Sequence, residues 1–350
     1  MSTVELGGRA VGTGHPPYII AEIGSNHNGD MDLCRRLIDA AAAAGADAVK
    51  FQSWTERSLI AEAEYQANPQ YADKKRHFGS LREMVRAYQF TTEQHVEAKA
   101  YCDERGITFC SSVFSPEEAD LLENLDVPFY KIASMDVVHL PLLRYVARKQ
   151  RPIVLSTGMA TLAEVERAVQ VIRDEGNEDI VLLHCVSIYP PPYPSIHLRN
   201  LSTLQQAFDV PVGFSDHTLG TAIPIAAVAL GACIIEKHFT LDKDLPGWDH
   251  AISADPDELR VLAQECKNVY QALGSSVRTV SEAEFEKRKK FRRSLVAHRS
   301  LPKGHVITEE DLDAKRPGTG ISPDAMDYVL GRTLARDVDE DQVLTWDDLN

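Results

Sequence analysis

Between residue 18 and about residue 240, short apolar runs alternate with longer segments whose apolar positions recur at helical spacing. That alternation is the pattern of successive βα units in a parallel sheet. Eight runs read as strands: YIIAEIG (18–24), DAVKFQS (47–53), ITFCSSVF (107–114), PFYKIAS (128–134), PIVLSTG (152–158), DIVLLHCVS (179–187), VPVGFSD (210–216) and CIIEKHFT (233–240). Ser115, Pro116 and Glu118 place a cap, a first-turn proline and a capping-box acid in register, and Thr161 with Glu164 and Asp255 with Pro256 and Glu258 repeat the device. The Ala-rich segment LCRRLIDAAAAAG (33–45) predicts a helix ended by a left-handed cap at Gly45. Eight strands alternating with helices predict a closed TIM (β/α)8 barrel.

Residues 54–90 break the pattern, being too long and too polar for a simple connection. They read as a lid or substrate-facing excursion, with a mobile surface loop as the alternative. EAEFEKRKKFRR (282–293) interleaves acids with bases and reads as a solvated helix or linker. The chain therefore divides into a barrel domain (1–281), a linker (282–293) and a small domain (294–350). In the small domain, strand-like SLVAHRSL and VITEEDL are echoed by TLARDV and VLTWDDL, which suggests two related half-motifs.

Composition adds exclusions. With 350 residues, 44% of them hydrophobic and 25% charged, there is ample material for a core. A net charge of -15 disfavours nucleic acid and anionic membranes as partners, since both require a basic footprint. No apolar run reaches the roughly 18 residues of a spanning helix, and MSTVELGGRAVGTGHPP has neither a basic start nor an apolar signal core, so the expected location is cytoplasmic. The six cysteines are scattered without a CxxC pair, which favours buried free thiols over disulfides or a zinc-thiolate site.

Barrel active sites lie at the C-terminal ends of the strands, so the polar residues that close each run are the candidates. His217 follows GFSD and His238 lies near the end of IIEKHFT. Neighbouring strands are about 4.8 Å apart, so the two imidazoles can share a divalent metal. Two imidazoles without a nearby thiolate suit Mn2+ or a related ion, Mg2+ or Co2+, with open positions. Glu236 shares the parity of His238, whereas Lys237 points away. Barrel closure brings Glu22 and Asn26 beside the last strand, with a buried Glu22–Lys50 ion pair as the alternative. Lys50 and Lys131, set within strands, call for anions inside the barrel; a Schiff-base role for Lys131 competes. Ser134, Ser156, Thr157 and Gly158 offer hydroxyls and amides to phosphate or carboxylate oxygens. Tyr189, in the proline-rich SIYPPPYPS, can wall a site, and Arg316 in KRPGTG can bring a guanidinium to an anionic ligand.

Taken together, AEIGSNHNGD, AVKFQ, YKIAS, LSTGM, LLHCVSIYPPPYP, GFSDHTLG, IIEKHFTLD and KRPGTG resemble the sialic acid synthase family over nearly the whole chain. The resemblance implies a barrel followed by a small β-rich antifreeze-like (SAF, β-clip) domain. It also implies condensation of phosphoenolpyruvate with an amino-sugar aldose such as N-acetylmannosamine, assisted by a Mn2+-type metal on His217 and His238. Lys50, Lys131, Ser134, Ser156, Ser187 and Ser215 would surround phosphoenolpyruvate, and Glu22 would face the reacting centre. Gln52, Asp136, Tyr189, Asp249 and Arg316 would serve the sugar, with Arg316 supplied across a domain-swapped homodimer. A Schiff-base aldolase or a noncatalytic sugar-acid-binding relative are the alternatives. Three departures bear on the sugar: Asp136 in KIASMD replaces a longer acid, Trp248 replaces a proline beside Asp249, and Ser187 stands where some members carry asparagine.

Overall fold

The structure, a computed structural model, describes residues 3–72 and 77–350. It contains two compact units, Met1–Gly274 and Ser275–Asn350. In the first, eight parallel strands close a barrel in chain order: β1 (Tyr18–Gly24), β2 (Ala48–Gln52), β3 (Thr108–Val113), β4 (Tyr130–Ile132), β5 (Ile153–Ser156), β6 (Ile180–Cys185), β7 (Val212–Asp216) and β8 (Ile234–His238). This is the TIM barrel expected from the sequence. β8 closes on β1, with His238 opposite Glu22.

Strand alternation explains why the interior has two zones. In β1, Ile19, Ala21 and Ile23 pack outward in the large cluster shared with the helices, whereas Tyr18 and Ile20 join Ala48, Phe129, Val154, Val181 and Ile234 in a separate inner cluster. The same inward faces end in Glu22, Lys50, Gln52, Lys131, Glu236 and His238, so the barrel is apolar at its N-terminal end and ionic at the other. The predicted caps are formed: Ser115 accepts from the Glu118 amide, Thr161 and Asp255 make full capping boxes, and Gly45 has φ 87°.

One element was not apparent from the sequence pattern. Thr3–Leu6 and Arg9–Gly12 form an antiparallel hairpin that places Val4, Leu6 and Val11 in the inner cluster, plugging the N-terminal end of the barrel. Its strands are four residues each, too short to show a period, and its turn depends on Gly7 and Gly8 at positive φ.

The excursion after β2 contains helices Glu56–Leu59, Glu62–Ala67 and Leu81–Tyr88; its residues 73–76 lie outside the described residues. Trp54, Tyr65, Leu81, Met84, Val85 and Tyr88 form its own apolar cluster with Phe114, against which Leu59, Ile60 and Trp248 pack. Among the described residues, no helix is long and apolar enough to cross a membrane.

The second unit starts with a helix over the charged run, Glu282–Phe291, and continues as short antiparallel β-structure around Leu295, Leu301, Ile307, Val329, Leu334 and Leu344. Its half-motifs are a structural repeat. Arg299 and Arg336, Thr308 and Thr345, and Asp311 and Asp348 each stand 37 residues apart, and in both halves the arginine pairs with the aspartate that the threonine caps. The halves meet about a local twofold axis. Leu301 and Val338 exchange both backbone hydrogen bonds, and the bridges Val296–Val343 and Val306–Thr333 are equivalent under the exchange.

Candidate functional site

A cavity of about 500 Å3 opens at the C-terminal ends of the barrel strands. Its lining includes eleven of the expected site residues: Glu22, Lys50, Gln52, Lys131, Ser134, Ser156, Ser187, Tyr189, Ser215, His217 and His238. They converge because each closes a neighbouring strand or begins the loop just beyond it.

The floor is a buried charge network. Lys50 pairs with Glu22 and lies 3.9 Å from Glu236, while Lys131 lies 3.7 Å from Glu236. All four side chains are almost wholly buried. The two readings of Glu22 are therefore compatible, since the ion pair with Lys50 is itself part of the cavity floor. Glu22 reaches the floor on the inward parity of Tyr18 and Ile20, opposite Lys50, and just beyond it β1 and β2 shift register between Glu22 and Gly24. Burial lifts the Glu22 carboxyl to about 7 against the pull of Lys50. Burial acts in the same direction on Glu236, but Lys131, Lys50 and Ser215 together hold it below the usual range. Two carboxyls in one site thus differ in proton affinity, which is the arrangement that separates a proton acceptor from a fixed anion.

Hydrogen bonds show which hydroxyls remain available. Ser156 Oγ accepts from Lys131 Nζ at 2.7 Å and so keeps its proton for an anion, while Ser134 Oγ accepts from the Gly158 amide at 3.0 Å and also faces the Cys185 thiol. Ser215 Oγ instead donates to Glu236 Oε1 at 2.9 Å, committing its only proton inside the network. Gly158 is where a Cβ would strike Ser187 Oγ, and it would also meet Ser134 Oγ at 2.7 Å and Cys185 Sγ at 3.2 Å. Glycine thus keeps open a small cradle ringed by two serine hydroxyls.

The His217 and His238 rings are 5.3 Å apart, with the Tyr189 ring tilted against His217 at 4.1 Å. His217 Nδ1 donates to the Val186 carbonyl at 3.0 Å, because a carbonyl can only accept, and this leaves Nε2 as the nitrogen with a lone pair. His238 Nδ1 is buried and has no hydrogen-bond partner among the described residues, 3.5 Å from Asp249 Oδ2. Burial, followed by the charge of His217, drives His238 well below the ordinary histidine range, so its imidazole is neutral. His217 is instead held above the usual range, against burial, by the Cys185 thiol and the Val186 carbonyl. Two imidazole side chains, one of them neutral with an orphaned buried nitrogen, fit a divalent cation. Among the described residues no three His, Cys, Asp or Glu side chains gather as a ligand cluster, so the protein itself would fill only part of a coordination sphere.

Three expected residues lie outside the lining. Asp249 stands behind His238, pushed up to about 6 by burial. Asp136, next to Met135, is likewise raised to about 6 by burial and has a buried Oδ2 without a hydrogen-bond partner among the described residues. Arg316 belongs to the second unit, its guanidinium 5.1 Å over the Phe291 ring. Asn26 ties the loop after β8, donating to the Phe239 carbonyl at 2.9 Å and Ser253 Oγ at 3.0 Å. Lys237 pairs with Asp216 at 2.6 Å on the outward parity, as its position predicts.

Residues the sequence did not single out complete the site. Ser112 accepts from Lys50 Nζ at 3.1 Å, and Cys185 lines the cavity beside Ser187. The rim is apolar, with Trp54, Leu59, Ile60, Met135 and Met159, joined by Trp248, which the sequence resemblance already sets near the sugar. Rim residues come from loops without a period, so only the folded chain brings them together.

The NeuB family profile matches residues 37–278 and the SAF domain profile residues 292–350. The N,N'-diacetyllegionaminic acid synthase of Legionella pneumophila is 40% identical over 94% of this chain and 94% of its own length. Human N-acetylneuraminate-9-phosphate synthase is 36% identical over 96% of this chain and 94% of its own. The crystal structure of N-acetylneuraminic acid synthetase from Leptospira borgpetersenii superposes with a TM-score of 0.73 at 33% identity, covering 82% of this chain and 95% of that one. The barrel, its polar strand ends and these similarities together establish that the chain is an enzyme of the synthase type, a member of the NeuB family with an SAF domain at its C-terminal end.

Proposed function

We propose that the barrel condenses phosphoenolpyruvate with an amino-sugar aldose, N-acetylmannosamine or a related hexosamine, to give a sialic-acid-like nonulosonic acid and phosphate. The observation that carries this reading is one cavity that gathers two buried lysines, a serine-lined cradle and the His217–His238 pair. The names of the similar synthases agree with it.

In this reading the Gly158 cradle receives the phosphate or carboxylate oxygens through Ser134 and Ser187, while Lys50, Lys131 and Ser156 offset charge on the same ligand. His217 and His238 would hold a divalent metal, Mn2+ by preference, which when bound would supply Lewis acidity for the aldehyde. C3 of phosphoenolpyruvate forms the bond to the aldehyde carbon, water adds at C2, and cleavage of the C2–O bond releases phosphate. Glu22, lifted toward neutrality and facing the cavity, accepts the proton from that water. The apolar rim suits the acyl methyl of an acetamido sugar and keeps bulk water from the reacting carbons. Asp249 and Asp136 serve the sugar hydroxyls, and Arg316 of the partner subunit completes acceptor recognition in a domain-swapped homodimer.

The test is phosphate release with purified protein, phosphoenolpyruvate and Mn2+ against N-acetylmannosamine, its 6-phosphate, and legionaminic- and pseudaminic-type precursors. Release with at least one acceptor, abolished by a chelator and restored by Mn2+, supports the reading; no release with any of them overturns it. The competing Schiff-base reading draws on Lys131, whose ammonium is depressed by burial. Borohydride with pyruvate leaves a covalent adduct only in that case.

A further inference from the structure

We propose that Trp54 is a positioning residue that acts through the Gln52 amide to hold the Glu22 carboxylate in place. The catalytic meaning of this rests on the function proposed above, but its geometry does not.

An indole N–H can donate but never accept. Trp54 Nε1 donates to Gln52 Oε1 at 3.0 Å, so the indole selects which face of the amide turns toward it. The amide nitrogen is thereby directed to the other side, where Nε2 donates to Glu22 Oε1 at 2.9 Å. A reversed amide would set N–H against N–H and carbonyl oxygen against carboxylate oxygen, losing both bonds. Glutamine side chains carry no such preference of their own, so the orientation of Gln52 is set by the donor-only indole on one side acting in concert with the accepting carboxylate on the other.

The surroundings are built for this chain of bonds. Gly24, at φ 54° on the β1 bulge, leaves free the space where a Cβ would meet Glu22 Oε1 at 3.0 Å and Gln52 Nε2 at 3.2 Å. Trp54 is only 2% exposed and is anchored in the excursion's apolar cluster, with its ring 5.9 Å from that of Trp248. With Oε1 pinned by Gln52, the Glu22 carboxylate presents its other oxygen to Lys50. Packing of the excursion is in this way tied to the carboxylate on the barrel floor. Gln52, expected to contact sugar, has its carbonyl and one N–H already engaged, which leaves one N–H for that purpose.

Two measurements test the proposal, the first independent of turnover. In a 15N-labelled sample the indole signals come from Trp54, Trp248 and Trp346, and Trp54→Phe identifies the one that disappears. Glu22→Ala should shift the Trp54 indole signal through the released amide while Trp346 stays fixed; an unmoved Trp54 signal overturns the proposal. The second is kinetic. Trp54→Phe keeps the ring but removes the donor and should lower kcat about tenfold, with both KM values within about twofold. In a Gln52→Leu background the same substitution should lower kcat no further, because the relay is already broken. A raised acceptor KM with kcat retained would reduce Trp54 to a wall of the pocket and overturn the proposal. If the wild-type protein releases no phosphate with any acceptor, the proposed function fails, and the indole measurement alone decides this one.

Discussion

Gly158→Ala offers a test of the anion cradle that leaves the fold intact. The backbone at Gly158 lies outside the left-handed region, so alanine is conformationally allowed. Its methyl would occupy the space facing Ser187 Oγ and Ser134 Oγ, the latter at 2.7 Å, where an ordinary contact needs at least about 3.4 Å. The hydroxyls must swing aside, and the Gly158 amide bond to Ser134 is strained with them. A hydroxyl withdrawn from a charged ligand costs about 1.5–3 kcal/mol, so displacing one serine should raise the apparent KM for phosphoenolpyruvate about 10- to 100-fold, and displacing both more. Initial rates of phosphate release at varied phosphoenolpyruvate, with a melting curve to confirm folding, supply the measurement. A KM for phosphoenolpyruvate within about twofold of wild type would show that the anion binds elsewhere and refute the cradle.

Two further outcomes follow from the structure. His27 is buried neutral, stacked 3.8 Å from Phe90 with Nδ1 accepting from the Gly29 amide, and burial, followed by the charges of His95 and His250, depresses it to about 3. A folded-state value below the unfolded 6.5 means that the unfolded chain takes up the proton first. Stability should therefore be intact above pH 6.5 and fall as the pH drops toward 3, by about 2 kcal/mol at pH 5 from this group alone. Urea midpoints of wild type and His27→Gln at pH 7.5 and pH 5 check this, and equal pH dependence in the two proteins would contradict it. Arg316→Ala should raise the acceptor KM about tenfold while the phosphoenolpyruvate KM holds, as steady-state rates with each substrate varied would show; an unchanged acceptor KM would remove Arg316 from the site.

The strands were legible because each must bury an outward face against helices, and the polar residues that close them were legible because an inward position at the C-terminal end can face only the cavity. Lys50, Lys131, His217 and His238 follow from that rule. Glu22 follows from it as well, on the parity of Tyr18 and Ile20; what alternation carries no mark of is the bulge just beyond it, which adds one residue between Glu22 and Gly24. The fate of Ser215 was equally hidden, since only distances distinguish a hydroxyl that serves a ligand from one that donates to Glu236. The rim was illegible for a different reason. Trp54, Met135 and Met159 come from three separate connections, and nothing in their local sequence records that they meet at one opening.

The repeat in the second unit has a consequence for how that unit can vary. Asp311 and Asp348 play equivalent parts, yet Asp311 also accepts from His305, whose counterpart 37 residues on is Gln342. Each half must match its twin across the Leu301–Val338 contact, so substitutions there are constrained twice, once by their own half and once by the other. Arg316 sits on the connection between the halves, which has no counterpart. Over evolutionary time that connection is free to diverge while the paired scaffold stays fixed, and differences among related chains in what the domain recognises are expected to concentrate there.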